Sequence, residues 1–364
     1  MQKTDCVAGR GLFFACALAA LLGACTVAGP RAIENGRLVY NTAITKTNNQ
    51  QILMAVLQNR YLESQNLLTV ASVTANVRVT TRADVQLGIG DASNYAGNLV
   101  PFSASAIYEE NPTISYTPVA GSRYMRQLHS PTPISVLAQL SATQTDLAPL
   151  YYALISSVNG IRNPDFMFSS ARPDPRFARF VDLVVELIRG QRLYWLAERD
   201  RDGGFSIVIQ RDSGAADESV DELLALLGLP ANRKGTGRVR LPVSLTMNEH
   251  ESGGVGIATR SVYQLANLLS ASVDVPEVDQ ADGAAAEYPP TGPAGNGLRV
   301  YRSTGSPNRA AVTVPYRDAW YYIDDGDRDT KRFFRTLTSL WSAAIADNTV
   351  TSASTPVLTV PVSR

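Results

Sequence analysis

Two histidines, three cysteines and a few knots of aspartate and glutamate are the chemistry-bearing residues of this 364-residue chain. His129 and His250 fall one in each half, so a zinc site would need carboxylates for most of its ligands, against the usual preference for His and Cys. Glu249-His250-Glu251 would point alternately to opposite faces of a strand, and a solvated loop accounts for it better. No HExxH and no GxSxG occur, and a Ser-His-Asp triad would have to recruit one of the two histidines. Asp325, Asp327 and Asp329 have the opening spacing of a calcium loop. Thr330 stands where such a loop needs Gly, and Thr336 where it needs Glu. A turn entering a helix, capped by Asp329, explains the three carboxylates. Glu198, Asp200 and Asp202 before Gly203 read as a hairpin turn. Gly235-Thr236-Gly237 follows Lys234 instead of preceding it, which reverses the order of a phosphate-binding loop. Trp320, Tyr321 and Tyr322 form the densest aromatic run and a candidate interaction surface, suited to a sugar ring or a partner's pocket. The commoner explanation is a strand with two of the rings in the core and one outside. No catalytic residue, metal site or cofactor is assigned.

The elements that must carry these residues start at the N-terminus. Lys3 and Arg10 precede an apolar run from Leu12 to Leu22, which leads directly into Leu22-Gly23-Ala24-Cys25. The run is too short for a spanning helix, which needs about 20 apolar residues. The four junction residues resemble the lipobox of bacterial lipoproteins. That resemblance implies a signal peptide over 1–24, cleavage after Ala24, and acylation of Cys25 as the new N-terminus. Thr26 stands where enterobacterial sorting would read Asp as an inner-membrane signal. The outer membrane, on its periplasmic face, is therefore the expected address, with the inner membrane or cell surface as alternatives.

Removing the first 24 of 364 residues leaves 340, enough for one large domain or two ordinary ones. Cys6 and Cys16 leave with the signal and Cys25 carries lipid, so the mature body keeps no thiol for a disulfide, nucleophile or Cys-based metal site. Lys3, Arg10 and Asp5 also leave, which takes 33 basic and 33 acidic residues to 31 and 32. Such a balance lacks the basic footprint of nucleic-acid binding.

Residues 25–45 read as a tether, followed by a helix-rich region with early strands over 46–200 and a mixed region of sheet and helix over 201–364. An amphipathic helix is expected from Asn48, capped by asparagine, with Ile52, Leu53, Val56, Leu57 and Tyr61 on one face. Residues 67–81 alternate as one or two strands, and 111–118 reads as another. Helices are expected at 120–129, 133–142, 145–159 and 173–189, then two strands joined at Asp202-Gly203. After a helix at 217–228 come strands at 238–247 and 254–260 and a helix at 260–271. Residues 275–297, rich in Pro, Gly and Ala, read as a flexible loop, whose removal over 279–294 should leave folding largely intact. Three strands at 298–303, 310–315 and 319–324, a last helix from Asp329 and an edge strand at 356–362 close the chain. Helices concentrate before residue 200 and strands after it, which predicts an α+β fold.

Several segments, NNQQILMAVLQNRY at 48–61, NPTISYTP at 111–118, VNGIRN at 158–163, VPYRDAWYYIDD at 314–325, DTKRFF at 329–334 and PVLTVP at 356–361, resemble a family of Gram-negative bacterial lipoproteins with no assigned activity. The resemblance spans nearly the whole mature chain and implies a single complete protein. It brings no cofactor or catalytic residue. Three functions follow as expectations. The first is a lipid-anchored structural or accessory component of an envelope assembly, bound to the membrane through its lipid and to envelope proteins through its body. The second is a periplasmic hydrolase or transglycosylase on peptidoglycan or polysaccharide, which would show two carboxylates converging in a cleft. The third is a solute- or lipid-binding lipoprotein, which would show an apolar pocket.

Overall fold

Ile52, Leu53, Val56 and Leu57 recur at helical spacing and are buried together, but the helix that carries them starts well before its apolar stripe. In the computed structural model, which describes residues 38–65, 67–74, 77–84, 103–110, 113–119, 121–198, 204–211, 217–230, 237–246, 253–349 and 358–361, helix α1 covers 38–60. Residues 38–45, expected in the tether, are thus helical, and Asn48 and Asn49 lie inside the helix instead of capping it. The stretch holds neither Gly nor Pro, and an established helix extends at little further cost. The hydroxyls of Thr42 and Thr47 donate to the carbonyls of Leu38 and Ala43 one turn back, at 2.8 and 3.0 Å.

The chain divides into two compact units, one of residues 1–48, 68–118 and 354–364 and a larger one of 49–67 and 119–353. In the smaller unit, β1 (Leu67–Thr74), β4 (Thr113–Val119) and β14 (Leu358–Pro361) make a sheet of order β1-β4-β14. β14 is an edge strand, a place where Pro361 is tolerated. β2 (Val77–Asp84) and β3 (Ser103–Glu110) pair antiparallel along their whole length, from Val77 opposite Glu110 to Asp84 opposite Ser103.

The larger unit is built on a six-stranded sheet of order β6-β5-β10-β9-β8-β7. Its strands are β5 (Ile155–Val158), β6 (Ile161–Arg162), β7 (Leu193–Ala197), β8 (Phe205–Gln210), β9 (Arg238–Leu245) and β10 (Val255–Thr259). Only β9 and β10 run parallel. The sheet draws strands from both sides of residue 200, so parts of the regions 46–200 and 201–364 meet within it. A second sheet, β11 (Tyr301–Ser303), β13 (Ala319–Asp324) and β12 (Ala310–Tyr316), is antiparallel. Around the sheets lie α2 (Ser122–His129), α3 (Ile134–Thr143), α4 (Leu147–Leu154), α5 (Pro175–Arg189), α6 (Glu218–Leu226), α7 (Val262–Ala271), α8 (Glu277–Ala281) and α9 (Arg328–Thr349). The fold is α+β, with helices leading and antiparallel strands prevailing later.

α5 shows why the long elements form where expected. Pro175 occupies its first turn, Asp174 caps it by accepting from the Arg176 amide, and Phe177, Phe180, Val181, Val184 and Leu187 bury one face. α4 is shorter than expected, because Ile155–Val158 leave the helix as a strand. Asn159 and Gly160 then turn the chain with φ of 42° and 80°, the left-handed pair of a two-residue hairpin. Asn159 is buried and fully engaged. Its Nδ2 donates to the carbonyls of Leu227 and Gly254 at 2.8 and 3.2 Å, and its Oδ1 accepts from the Gly256 amide at 2.6 Å.

Arg260, the residue after β10, is completely buried. Its Nη1 donates to the carbonyls of Tyr152, Ala153 and Ile155 at 2.9, 3.0 and 2.9 Å, its Nη2 to Asn163 O and its Nε to the Asp165 carboxylate. Burial draws the guanidinium pKa down, and Asp165 opposes this. One side chain thereby fastens the end of α4 and the β5-β6 hairpin to β10.

Residues 275–297 are not an open loop. α8 and a 3-10 turn at Pro293–Gly295 lie within them, Ala285 and Ala294 are buried, and Thr291 bridges Phe166. The Gly292 amide donates to Asp165 O at 2.8 Å, and the Met167 amide to Pro290 O at 2.7 Å. The segment is held by backbone pairing and by small residues at close approach, neither of which leaves a periodic pattern. Deleting 279–294 would strip these contacts from the body. A sharper check is Gly292→Ala: the new Cβ would stand 2.1 Å from the Pro164 carbonyl oxygen. Urea unfolding should register a loss of about 1 kcal/mol or more, and an unchanged midpoint would show that the contact yields freely.

Candidate functional site

Arg328, Lys331, Arg332 and Arg335 follow one another at i, i+3, i+4 and i+7, which puts four cations on one face of α9. The opposite face, with Phe333, Phe334, Leu337 and Trp341, is buried. α9 is started by Asp327 rather than Asp329. Asp327 accepts from the Thr330 amide at 3.0 Å and from the Thr330 hydroxyl at 2.7 Å, and that hydroxyl accepts from the Arg299 amide. Asp325 bonds Lys331, whose ammonium holds the carboxyl below the usual range. The three aspartates are therefore a turn and a cap, with Asp329 inside the first helical turn.

A hollow lies on each flank of this basic face. The first, of about 380 Å³, has α9 as one wall, with Phe334 and all four cations, and Ala311, Val312 and Ile323 of the second sheet beneath. It contains no carboxylate among its lining residues. The second, of about 330 Å³, lies against the start of α4 and the 293–298 segment. Two carboxylates, Asp146 and Asp329, line it, and both face Arg332, at 2.8 and 3.7 Å. A general acid needs an environment that keeps its proton, such as an apolar pocket. Asp329 is 72% exposed and Asp146 39%, and both contact the Arg332 guanidinium, so neither lies in such a pocket.

The charges of the first hollow are unevenly matched. Lys331 has Asp325 and Arg332 has the two aspartates, but Arg335 bonds only the neutral Gln144 at 3.2 Å, and Arg328 has no ion pair among the described residues. Phe334, Val312 and Ile323 are buried and make its floor apolar.

The aromatic run of β13 is split by the pleat. Tyr321, 1% exposed, points into the core and shares a 3.0 Å hydrogen bond with the hydroxyl of Tyr61, which is also 2.8 Å from Asp279. It is not part of a surface. Trp320 and Tyr322 are half-buried on the other face, where Tyr322 stacks on Tyr301 at 5.5 Å and Arg299 lies 4.8 Å from the Tyr301 ring. One ring is inside and two are partly outside, the reverse of the commoner pattern.

Arg60 gave no signal in the sequence. It is buried, its Nε and Nη1 have no hydrogen-bond partner among the described residues, and desolvation lowers its pKa. The Tyr288 ring, 5.2 Å away, and the C-terminal dipole of α1 offset part of that cost.

Other sequence candidates are scattered. His129 is exposed, with its ring 4.3 Å from that of Tyr263. Glu198 bonds Ser206 and Arg240 across the sheet. Cys25, Asp200, Asp202, Gly203, Gly235, Thr236, Glu249, His250 and Glu251 lie outside the described residues. Among the described residues no group of three His, Cys, Asp or Glu side chains is placed to hold a metal, and no helix is long and apolar enough to cross a membrane. The sequence matches no family model, and comparison with curated proteins and with solved structures finds no match.

Proposed function

We propose that the chain is a lipid-anchored envelope protein, held through Cys25 at the periplasmic face of the outer membrane, where it serves an envelope assembly as a structural or accessory component. The observation that carries this reading is Leu22-Gly23-Ala24-Cys25 at the end of an apolar run. Acyl chains contribute about 0.8 kcal/mol per buried methylene, so two or three on one cysteine give a stable anchor. The segments that resemble Gram-negative lipoproteins support the same placement. Trp320, Tyr322, Tyr301 and Arg299 supply the aromatic and arginine composition favoured in interface centres. The carboxylate-hydrolase alternative is weakened by Arg332, which stands between the two aspartates of the second hollow.

Crosslinking in intact cells, with pull-down of a tagged copy beside its Cys25→Ala form, tests the proposal. The parent should co-purify envelope proteins, while Cys25→Ala should accumulate as precursor or be cleaved elsewhere and lose nearly all of its partners. A Cys25→Ala protein that fractionates and crosslinks like the parent would overturn it.

A further inference from the structure

The hollow between α9 and the second sheet joins two properties that seldom share a small space. Its rim holds four cations within two helical turns and no carboxylate, and its floor is Val312, Ile323 and Phe334. Two of the cations, Arg328 and Arg335, have no acidic partner among the described residues. A basic cluster of this kind attracts a compact anion with several acceptor oxygens, and arginine matches phosphate geometry well. The floor adds a demand for apolar substance immediately beneath the charge. A free inorganic anion would leave that floor unused. An extended acidic peptide would enter most simply by adding a strand to β12, which is the outer strand of its sheet. That edge is obstructed: Gln50 Nε2 already donates to Thr313 O at 2.9 Å, and Pro315 has no amide to offer.

We propose that this hollow binds the headgroup of an anionic phospholipid, with the phosphate on Arg328 and Arg335 and the glycerol and first acyl carbons on Val312, Ile323 and Phe334. The volume, about 380 Å³, lies in the range of small-molecule sites and suits a headgroup with the root of its chains. The assignment rests on the hollow alone and does not need Cys25 to be acylated, although an anchored protein would meet such lipids continuously.

The test is native mass spectrometry of the full chain released from non-ionic detergent with equimolar dioctanoyl phosphatidylglycerol and dioctanoyl phosphatidylcholine. The mass of the bare protein reports acylation of Cys25 in the same spectrum, so failure of the anchor and failure of the hollow are read separately. The parent should retain one phosphatidylglycerol in preference to phosphatidylcholine by about tenfold, and Arg328→Glu with Arg335→Glu should abolish the preference. Arg328 and Arg335 are exposed, and circular dichroism matching the parent would show that the fold persists. The milder pair Arg328→Gln with Arg335→Gln should lose most of the preference too. Equal retention of the two lipids, no retained lipid, or a preference unchanged in either variant would overturn the proposal. So would displacement of the lipid by equimolar inorganic phosphate, which would assign the hollow to a free anion, or by an equimolar acidic peptide, which would assign it to a protein partner.

Discussion

Arg260→Ala should lower the free energy of unfolding by about 3–5 kcal/mol, the usual result of removing one member of a buried ionic network. The truncation strips the donor from the carbonyls of Tyr152, Ala153, Ile155 and Asn163 and leaves Asp165 without its cation. An unsatisfied buried acceptor costs free energy that its former hydrogen bond does not measure. Arg260→Lys keeps the charge but cannot reproduce the planar fork, so its loss should fall between those of Ala and the parent. Arg179→Ala is the control: Arg179 and Glu222 pair in the open, at 49% and 42% exposure, and their loss should leave the unfolding midpoint close to the parent's. Urea unfolding of the three variants measures all of this. A loss below about 1 kcal/mol for Arg260→Ala would mean that water replaces the guanidinium.

The second large effect should appear on raising the pH. Tyr124 is buried, and desolvation lifts its phenol from the ordinary 10.0 to about 12, although the Trp341 indole N–H, donating to its oxygen at 2.9 Å, pulls the other way. Above pH 10 the unfolded chain releases this proton while the folded one keeps it, so stability is fully present below pH 10 and declines towards pH 12. At 1.36 kcal/mol per unit the loss through this group is about 2–3 kcal/mol. Tyr61 and Tyr151, whose phenols burial also raises, add in the same direction. Denaturant midpoints should stay level up to about pH 10 and then fall. Tyr124→Phe should flatten part of the fall, and an identical fall in that variant would place the sensitive group elsewhere.

Both effects depend on residues that the sequence does not advertise. α5 and α7 were legible because their apolar residues recur three and four apart and their ends carry Asp174 and Ser261. The tail of α4 was not, since Leu-Ile-Ser-Ser-Val suits a buried helix or a strand equally, and its pairing with β10 decides between them. Tyr321 faces inward because Ala319 and Ile323 share its parity, whereas the count of aromatics alone suggested two rings inside. Arg260 and Arg60 look like any other arginine in the sequence. Their burial comes from chain segments 95 or more residues away for Arg260, as with Asp165, and from Tyr288 for Arg60. The cations of α9 could be placed on one face by spacing. The apolar floor opposite them is supplied by β12 and β13, and only the tertiary fold brings the two together.

The Asn159-Gly160 turn carries a consequence for how the protein ages. An Asn-Gly pair is the dipeptide most open to spontaneous deamidation, because the small glycine lets its amide nitrogen swing back onto the asparagine side-chain carbonyl and expel ammonia through a cyclic imide. Here the leaving nitrogen is held by the carbonyls of Leu227 and Gly254, and the carbonyl that must be attacked is fixed on the Gly256 amide. In the folded protein the ring closure would have to break those bonds first. Chemical decay at this site is thereby coupled to unfolding, and the fold acts as its own preservative.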